Sequence, residues 1–313
     1  VVKISLLKQV TIKMINKGMY MRKVTVAATQ MSCSWNLQEN LEKAERLVRQ
    51  AASEGAQIIL LQELFETPYF CIEISEEYHS LATTLEDNPA FQLLTKLAKE
   101  LEVVLPFSWF ELAGTVRFNS LAMIDADGSL MGIYRKTHIP DSDGYLEKYY
   151  FSPGDTGFKV WNTRYAKIGV GICWDQWFPE TARSMALQGA EILFFPTAIG
   201  SEPSQPEMDS QPHWTRVMQG HAAANQTPVI ASNRIGKESA KTRDLAITFF
   251  GSSFITDHAG EIVKKADRSS EGIICHEFDL QEIAFQRQAW GLFRDRRPEH
   301  YQTLLTLDGQ VNA

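Results

Sequence analysis

With 313 residues, 44% of them hydrophobic, and a formal charge of −7, the chain can bury a large core and is too acidic for a general nucleic-acid binder. No stretch is apolar for long enough to cross a bilayer as a helix. The four cysteines, Cys33, Cys71, Cys173 and Cys275, are scattered with no CxxC pair. That points to reduced thiols in a cytoplasm-like compartment rather than a disulfide frame or a zinc site.

Val1 to Tyr20 is lysine-rich and free of acidic residues, and Met21-Arg22-Lys23 before Val24-Thr25-Val26 reads as a natural start. The expectation is an extension over 1–20 outside the fold, followed by one domain over 21–313. A β-branched run predicts a strand over 24–30. Leu37, Leu41, Ala44, Val48 and Ala51 then share one helical face, and Gly55 ends that helix. Ile58 to Leu61 is a second buried strand that runs directly into Gln62-Glu63. A carboxylate at the end of an apolar strand is costly unless it is paired or used.

Asn88-Pro89 opens a helix to Leu101, and 103–106 reads as a strand. Ser120 to Ile124 and Leu130 to Tyr134 form a hairpin around Asp125-Ala126-Asp127-Gly128, a turn lacking the remaining ligands of a calcium loop. Lys136 leaves the second hairpin strand. A strand over 167–173 stops at Cys173, Pro179-Glu180 opens a helix that ends at Gly189, and another strand covers 191–196. This unit echoes the first strand–helix–strand unit and suggests two sheets, each covered on its outer face by helices. A helix through Trp214 to Ala222, a strand at 229–231 and a hairpin turning at Asp257-His258-Ala259-Gly260 follow. The segment Gln286 to Tyr301, with Trp290 and Arg294, Arg296 and Arg297, reads as a docking tail.

Cys173 sits where a strand gives way to a helix, a setting that lowers a thiol's pKa. The residue is either a nucleophile or a small buried apolar side chain. Glu63, Lys136 and Cys173 stand at three strand ends, and the set has a chemical logic. A thiolate attacks an amide-like carbonyl, a carboxylate moves protons, and an ammonium holds the oxyanion. The rival is a Cys–His pair using one of the seven histidines, none of which stands in a distinctive context.

Leu60-Leu61-Gln62-Glu63-Leu64-Phe65, Tyr134-Arg135-Lys136-Thr137-His138 and Gly171-Ile172-Cys173-Trp174-Asp175 together resemble the nitrilase superfamily of carbon–nitrogen hydrolases, from about Met21 to about Gly309. The resemblance implies an α/β four-layer α-β-β-α sandwich, no metal, no organic cofactor, and a homo-oligomer. It implies Glu63, Lys136 and Cys173 as catalytic, with Glu147 in Tyr145-Leu146-Glu147-Lys148 as a second glutamate. Trp174 would lend its backbone N–H to the oxyanion.

Longer stretches (Pro68-Tyr69-Phe70-Cys71, Pro196 to Pro203, His213 to His221, Ala231 to Gly236) are similar to the branch that takes a cationic ureide, N-carbamoylputrescine being the expected substrate. Tyr69, Trp174, Ala198 and Glu202 are then the expected substrate contacts, with Glu202 reading the ammonium. Glu207 and Asp209 either add negative potential there or are surface charge. A ureidopropionase-like or aliphatic amidase is the alternative enzyme. A non-catalytic scaffold would have lost one of the three motif residues. Partners beyond the small molecule and further copies of the chain, such as nucleic acid or membrane, are not expected.

Overall fold

The computed structural model describes residues 21–310, so the expectation for 1–20 lies outside them. Those residues fall into a large unit, Arg22–Asp279, and a smaller one that takes in the chain from Leu280 onward. In the large unit β1 (Lys23–Gln30) leads to helix α1 (Leu37–Ser53), whose N-cap Asn36 accepts from the N–H groups of Gln38 and Glu39. Strand β2 (Ile58–Leu60) follows, then α2 (Pro89–Leu101), capped by Asn88 with proline at the first turn, as the Asn-Pro pair predicts. Next come β3 (Leu105–Ala113), β4 (Val116–Ile124), β5 (Leu130–Arg135), β6 (Val160–Asn162), β7 (Lys167–Val170) and α3 (Pro179–Leu187). The unit ends with β8 (Ile192–Pro196), α4 (Gln211–Asn225), β9 (Val229–Ser232), β10 (Ile235–Ser239), β11 (Ala246–Phe250), β12 (Phe254–Thr256), β13 (Ile262–Lys265) and β14 (Gly272–Asp279). The smaller unit holds α5 (Leu280–Trp290) and two short 3₁₀ turns.

One sheet runs β13-β12-β9-β8-β7-β6, with β7, β8 and β9 parallel. The other runs β14-β1-β2 and continues into β3-β4-β5 through the parallel bridge of Ile58 with Val104. Successive residues of a strand face opposite ways, and here both faces are apolar. Ala27, Ile59, Leu105 and Phe107 pack on α1 and α2. Leu193, Phe195, Val229 and Ala231 pack on α3 and α4. The alternate set, Val26, Ala28, Ile58, Leu60, Ile192, Phe194 and Ile230, is fully buried where β1 and β2 face β8 and β9. These four layers are the α-β-β-α sandwich that the repeated unit suggests.

Two features escape the sequence reading. The strand read at 103–106 extends to Ala113 and pairs antiparallel with β4, Leu105 opposite Ile124. Glu111 hides this continuation, because a charge breaks the apolar pattern; it is buried against the Arg135 guanidinium at 2.8 Å. The strand after the second hairpin, β14, pairs with β1 along its whole length.

Gly154 marks the tightest crossing near the chemistry. Its N–H donates to the Lys136 carbonyl at 2.8 Å, and a Cβ there would lie 2.0 Å from the Arg135 oxygen and 2.7 Å from that of Lys136. Backbone cannot move aside as a side chain does, so Gly154→Ala should destabilise by about 3 kcal/mol, the upper end for overpacking. A denaturation curve matching wild type would remove Gly154 from the positioning of Lys136.

Candidate active site

Every expected catalytic side chain sits just beyond a strand end or on the loop facing it. Glu63 lies three residues past β2, Lys136 directly follows β5, and Cys173 follows β7 after Gly171-Ile172. Glu147 opens a short 3₁₀ turn, Glu147–Tyr149. Glu63, Lys136 and Glu147 are completely buried and in contact. The Lys136 ammonium donates to Glu63 Oε1 at 2.8 Å and to Glu147 Oε2 at 2.6 Å. Burial alone would lower this lysine's pKa, but Glu147 and then Glu63 hold it well above its ordinary value. Burial raises Glu147 to about 7 despite the pull of Lys136.

The remaining oxygens are met selectively. Glu63 Oε1 also accepts from Asn119 Nδ2 at 2.7 Å, whereas Glu63 Oε2 is buried without a hydrogen-bond partner among the described residues. An orphaned carboxylate oxygen is costly, and it is the form a general base needs. Tyr69 donates its hydroxyl to Glu147 Oε1 at 2.6 Å. Expected as a substrate contact, Tyr69 is instead committed to Glu147 and buried behind it. Asn119 and its neighbour Ser108 are absent from the sequence reading; two amide or hydroxyl side chains inside apolar strands were the available signal.

Cys173 opens the 3₁₀ turn Cys173–Trp177 with a left-handed φ of 41°, and helix α3 begins only at Pro179. The expected lowering of its pKa does not occur. Burial, and after it the Glu63 carboxylate, pushes the thiol well above its ordinary value, against the pull of Lys136. The sulfur lies 3.9 Å from the Ala198 carbonyl. Cys173 lines a cavity of about 250 Å³ together with Glu147, Trp174, Trp177, Ala198 and Glu202. Glu202 accepts from the Ser210 hydroxyl at 2.9 Å, and no cation pairs with it among the described residues. Asp209 instead pairs with Arg268 at the surface, the second of its two expected readings.

Two ties hold the parts in register. Arg234, fully buried, donates to the carbonyls of Glu63 (2.8 Å), Leu64 (3.0 Å) and Thr67 (3.2 Å) and to Glu238, which in turn accepts from the Tyr69 N–H. Asp175 accepts from Ile172 N (2.9 Å), His138 N (3.0 Å) and the Tyr134 hydroxyl (2.7 Å), and it meets His138 Nδ1 at 2.8 Å. It thereby knots the cysteine turn to the lysine segment. His138 is spent on that knot and on stacking against Phe178, which removes it from the Cys–His rival, whereas His213 lines the same cavity as Cys173. The Asp125 and Asp127 carboxylates accept from backbone N–H groups of their own turn. Among the described residues no group of three or more acid, His or Cys side chains could hold a metal.

Residues 25–288 match the carbon-nitrogen hydrolase family. The chain belongs to that family. It is 57% identical to the N-carbamoylputrescine amidase of Arabidopsis thaliana, over 93% of this chain and 98% of that one. It is 56% identical to the citrullinase of Francisella tularensis, over 91% and 99% of the two chains. Among solved structures, a carbon-nitrogen hydrolase from Helicobacter pylori superposes with a TM-score of 0.86 at 38% identity, covering 91% of this chain and 99% of that one. The motif residues of this carbon-nitrogen hydrolase belong to one sandwich.

A thiol held above its ordinary range should not behave as a preformed thiolate. Iodoacetamide labelling of Cys173, followed by peptide mass mapping, should quicken continuously up to about pH 9, since the thiolate fraction keeps growing below the raised pKa. A plateau near neutral pH would show the opposite shift.

Proposed function

We propose that the protein hydrolyses N-carbamoylputrescine to putrescine, carbon dioxide and ammonia, a step that forms a polyamine. One observation carries the reading. A thiol shares the wall of one cavity with Glu147, a member of the buried acid–lysine–acid cluster, and with Glu202, an acid with no cation among the described residues. The N-carbamoylputrescine amidase of Arabidopsis thaliana named above supports it.

In this reading the open oxygen of Glu63 takes the Cys173 proton as the sulfur attacks the ureido carbon. Lys136 and the Trp174 backbone N–H hold the oxyanion, the role for which a permanently charged ammonium suits. Glu63 returns the proton to the departing ammonia, leaving a carbamoyl group on sulfur. Water activated by Glu63 displaces the sulfur, and Glu147 fixes Lys136 meanwhile. The released carbamate decomposes into putrescine and carbon dioxide. Tyr69 acts by orienting Glu147, and Trp174 and Ala198 flank the substrate. The ammonium of the substrate meets Glu202. Residence in a reducing, cytoplasm-like compartment and assembly of several copies belong to the same reading; the four thiols are all free.

Cys173→Ala should abolish ammonia release, and Lys136→Ala should lower kcat at least about a hundredfold, as loss of an oxyanion donor does. Turnover retained by the alanine variant of Cys173 would falsify the nucleophile assignment. Glu202→Gln should raise KM for N-carbamoylputrescine while leaving KM for a short neutral amide nearly unchanged. Equal shifts for both substrates would take the ammonium away from Glu202.

A further inference from the structure

Two relatives of nearly equal identity are named for different ureides, one for N-carbamoylputrescine and one for citrulline. These molecules place the same number of carbons between ureide and ammonium. Citrulline differs by a carboxylate on the carbon that bears the ammonium. With the ammonium on Glu202, that carboxylate falls beside Glu202 itself, so it requires a cation or a set of free N–H donors nearby.

The cavity wall supplies no permanent cation. Its charged residues are Glu147 and Glu202, and neither lysine nor arginine lines it. The first turn of α4 borders the cavity through Ser210 and His213 and would ordinarily attract an anion. Here part of that capacity is already taken. The Ser210 hydroxyl donates to Glu202, the Gln211 N–H donates to Asp209 Oδ1 at 3.2 Å, and Pro212 has no N–H. Arg268 is turned to Asp209 at 2.6 Å. Among the residues lining the cavity, His213 alone could become cationic; it is exposed and leans on the Trp177 ring with centroids 5.0 Å apart.

We propose that this cavity selects ureides whose far end carries an ammonium without an adjacent carboxylate, and that His213 is the position that sets this selectivity. The inference rests on the N-carbamoylputrescine reading and sharpens it. A like-charged pair without a counter-ion lowers the productive complex with the carboxylated analogue. A permanent guanidinium at position 213 would pair with that carboxylate bidentately and reverse much of the discrimination.

The test uses the purified full-length protein and measures ammonia release from N-carbamoylputrescine, L-citrulline and N-carbamoyl-β-alanine. Wild type should prefer N-carbamoylputrescine over L-citrulline by about a hundredfold in kcat/KM, the scale expected of an unpaired like charge in a binding site. His213→Arg should narrow that ratio at least about tenfold, mainly through a lower KM for L-citrulline. Comparable wild-type efficiencies on N-carbamoylputrescine and L-citrulline would overturn the inference and leave the reaction standing. Hydrolysis of N-carbamoyl-β-alanine alone would overturn both. Should the arginine variant turn over poorly with every substrate, calorimetry decides. L-citrulline must bind the Cys173→Ala, His213→Arg double variant more tightly than the Cys173→Ala protein, and equal affinities overturn the role of His213.

Discussion

The Lys136 ammonium, fully buried between two carboxylates, is the interaction on which the rest of the structure depends. Removing a charge from water costs several kcal/mol, and a buried pair is recovered only when geometry and further hydrogen bonds compensate. Here one cation faces two acids. The surplus negative charge is met by Asn119 on Glu63 and Tyr69 on Glu147, and partly by Glu147 itself, whose titration lies at about 7. The cluster is stable only as a set: losing one member strands the others in a dry interior. Much of the sandwich serves to keep that interior dry, with the aromatic cluster of Tyr69, Phe70, Phe110, Tyr150 and Phe151 packed around the Glu147 side.

Charges placed this closely need their backbones anchored, and past the strand ends few backbone bonds remain, among them those from the Lys136 N–H to the Asn119 carbonyl and from the Glu63 N–H to that of Thr197. Glu63, Lys136 and Cys173 all lie past the last residue of their strands. Arg234 anchors the glutamate segment by gripping three of its backbone carbonyls, where Leu64 takes a left-handed φ of 50°. Asp175 anchors the cysteine turn to the lysine segment with one carboxylate. Both ties are buried and charge-assisted, the stronger kind of hydrogen bond in a low dielectric. Each ties segments far apart in the chain, so the geometry of the site is a property of the packed sandwich rather than of any local motif.

That division explains what could be read from the sequence. The helices over Leu37–Ser53 and Pro89–Leu101 announce themselves through apolar periodicity and asparagine caps, and the two central strand–helix–strand units through uninterrupted apolar runs. The motif residues stand at the ends of such runs, which is why Glu63, Lys136 and Cys173 could be singled out. Asn119, Arg234 and Asp175 could not, because their partners lie tens to hundreds of residues away and their roles arise only when the sheets close. The thiol was misjudged for a related reason. A helix start is visible after Cys173, but the burial of the thiol and the carboxylate of Glu63 are not, and those two outweigh a helix end that begins only after an intervening 3₁₀ turn.

The raised thiol has a chemical consequence of its own. A preformed thiolate is abundant but weakly basic, and its nucleophilicity falls with its pKa, with a Brønsted slope of about 0.4–0.5. The carbonyl of a ureide is deactivated by two nitrogens and calls for a more basic sulfur. In the proposed reaction a buried thiol beside a carboxylate with one open oxygen meets that need, since the proton leaves only as the new bond forms. Lys136, whose charge the two acids secure, is then a cation when the oxyanion appears and requires no reorganisation to meet it. The same negative surroundings that raise the thiol therefore keep the lysine charged, and one buried cluster prepares both the nucleophile and the electrophilic support.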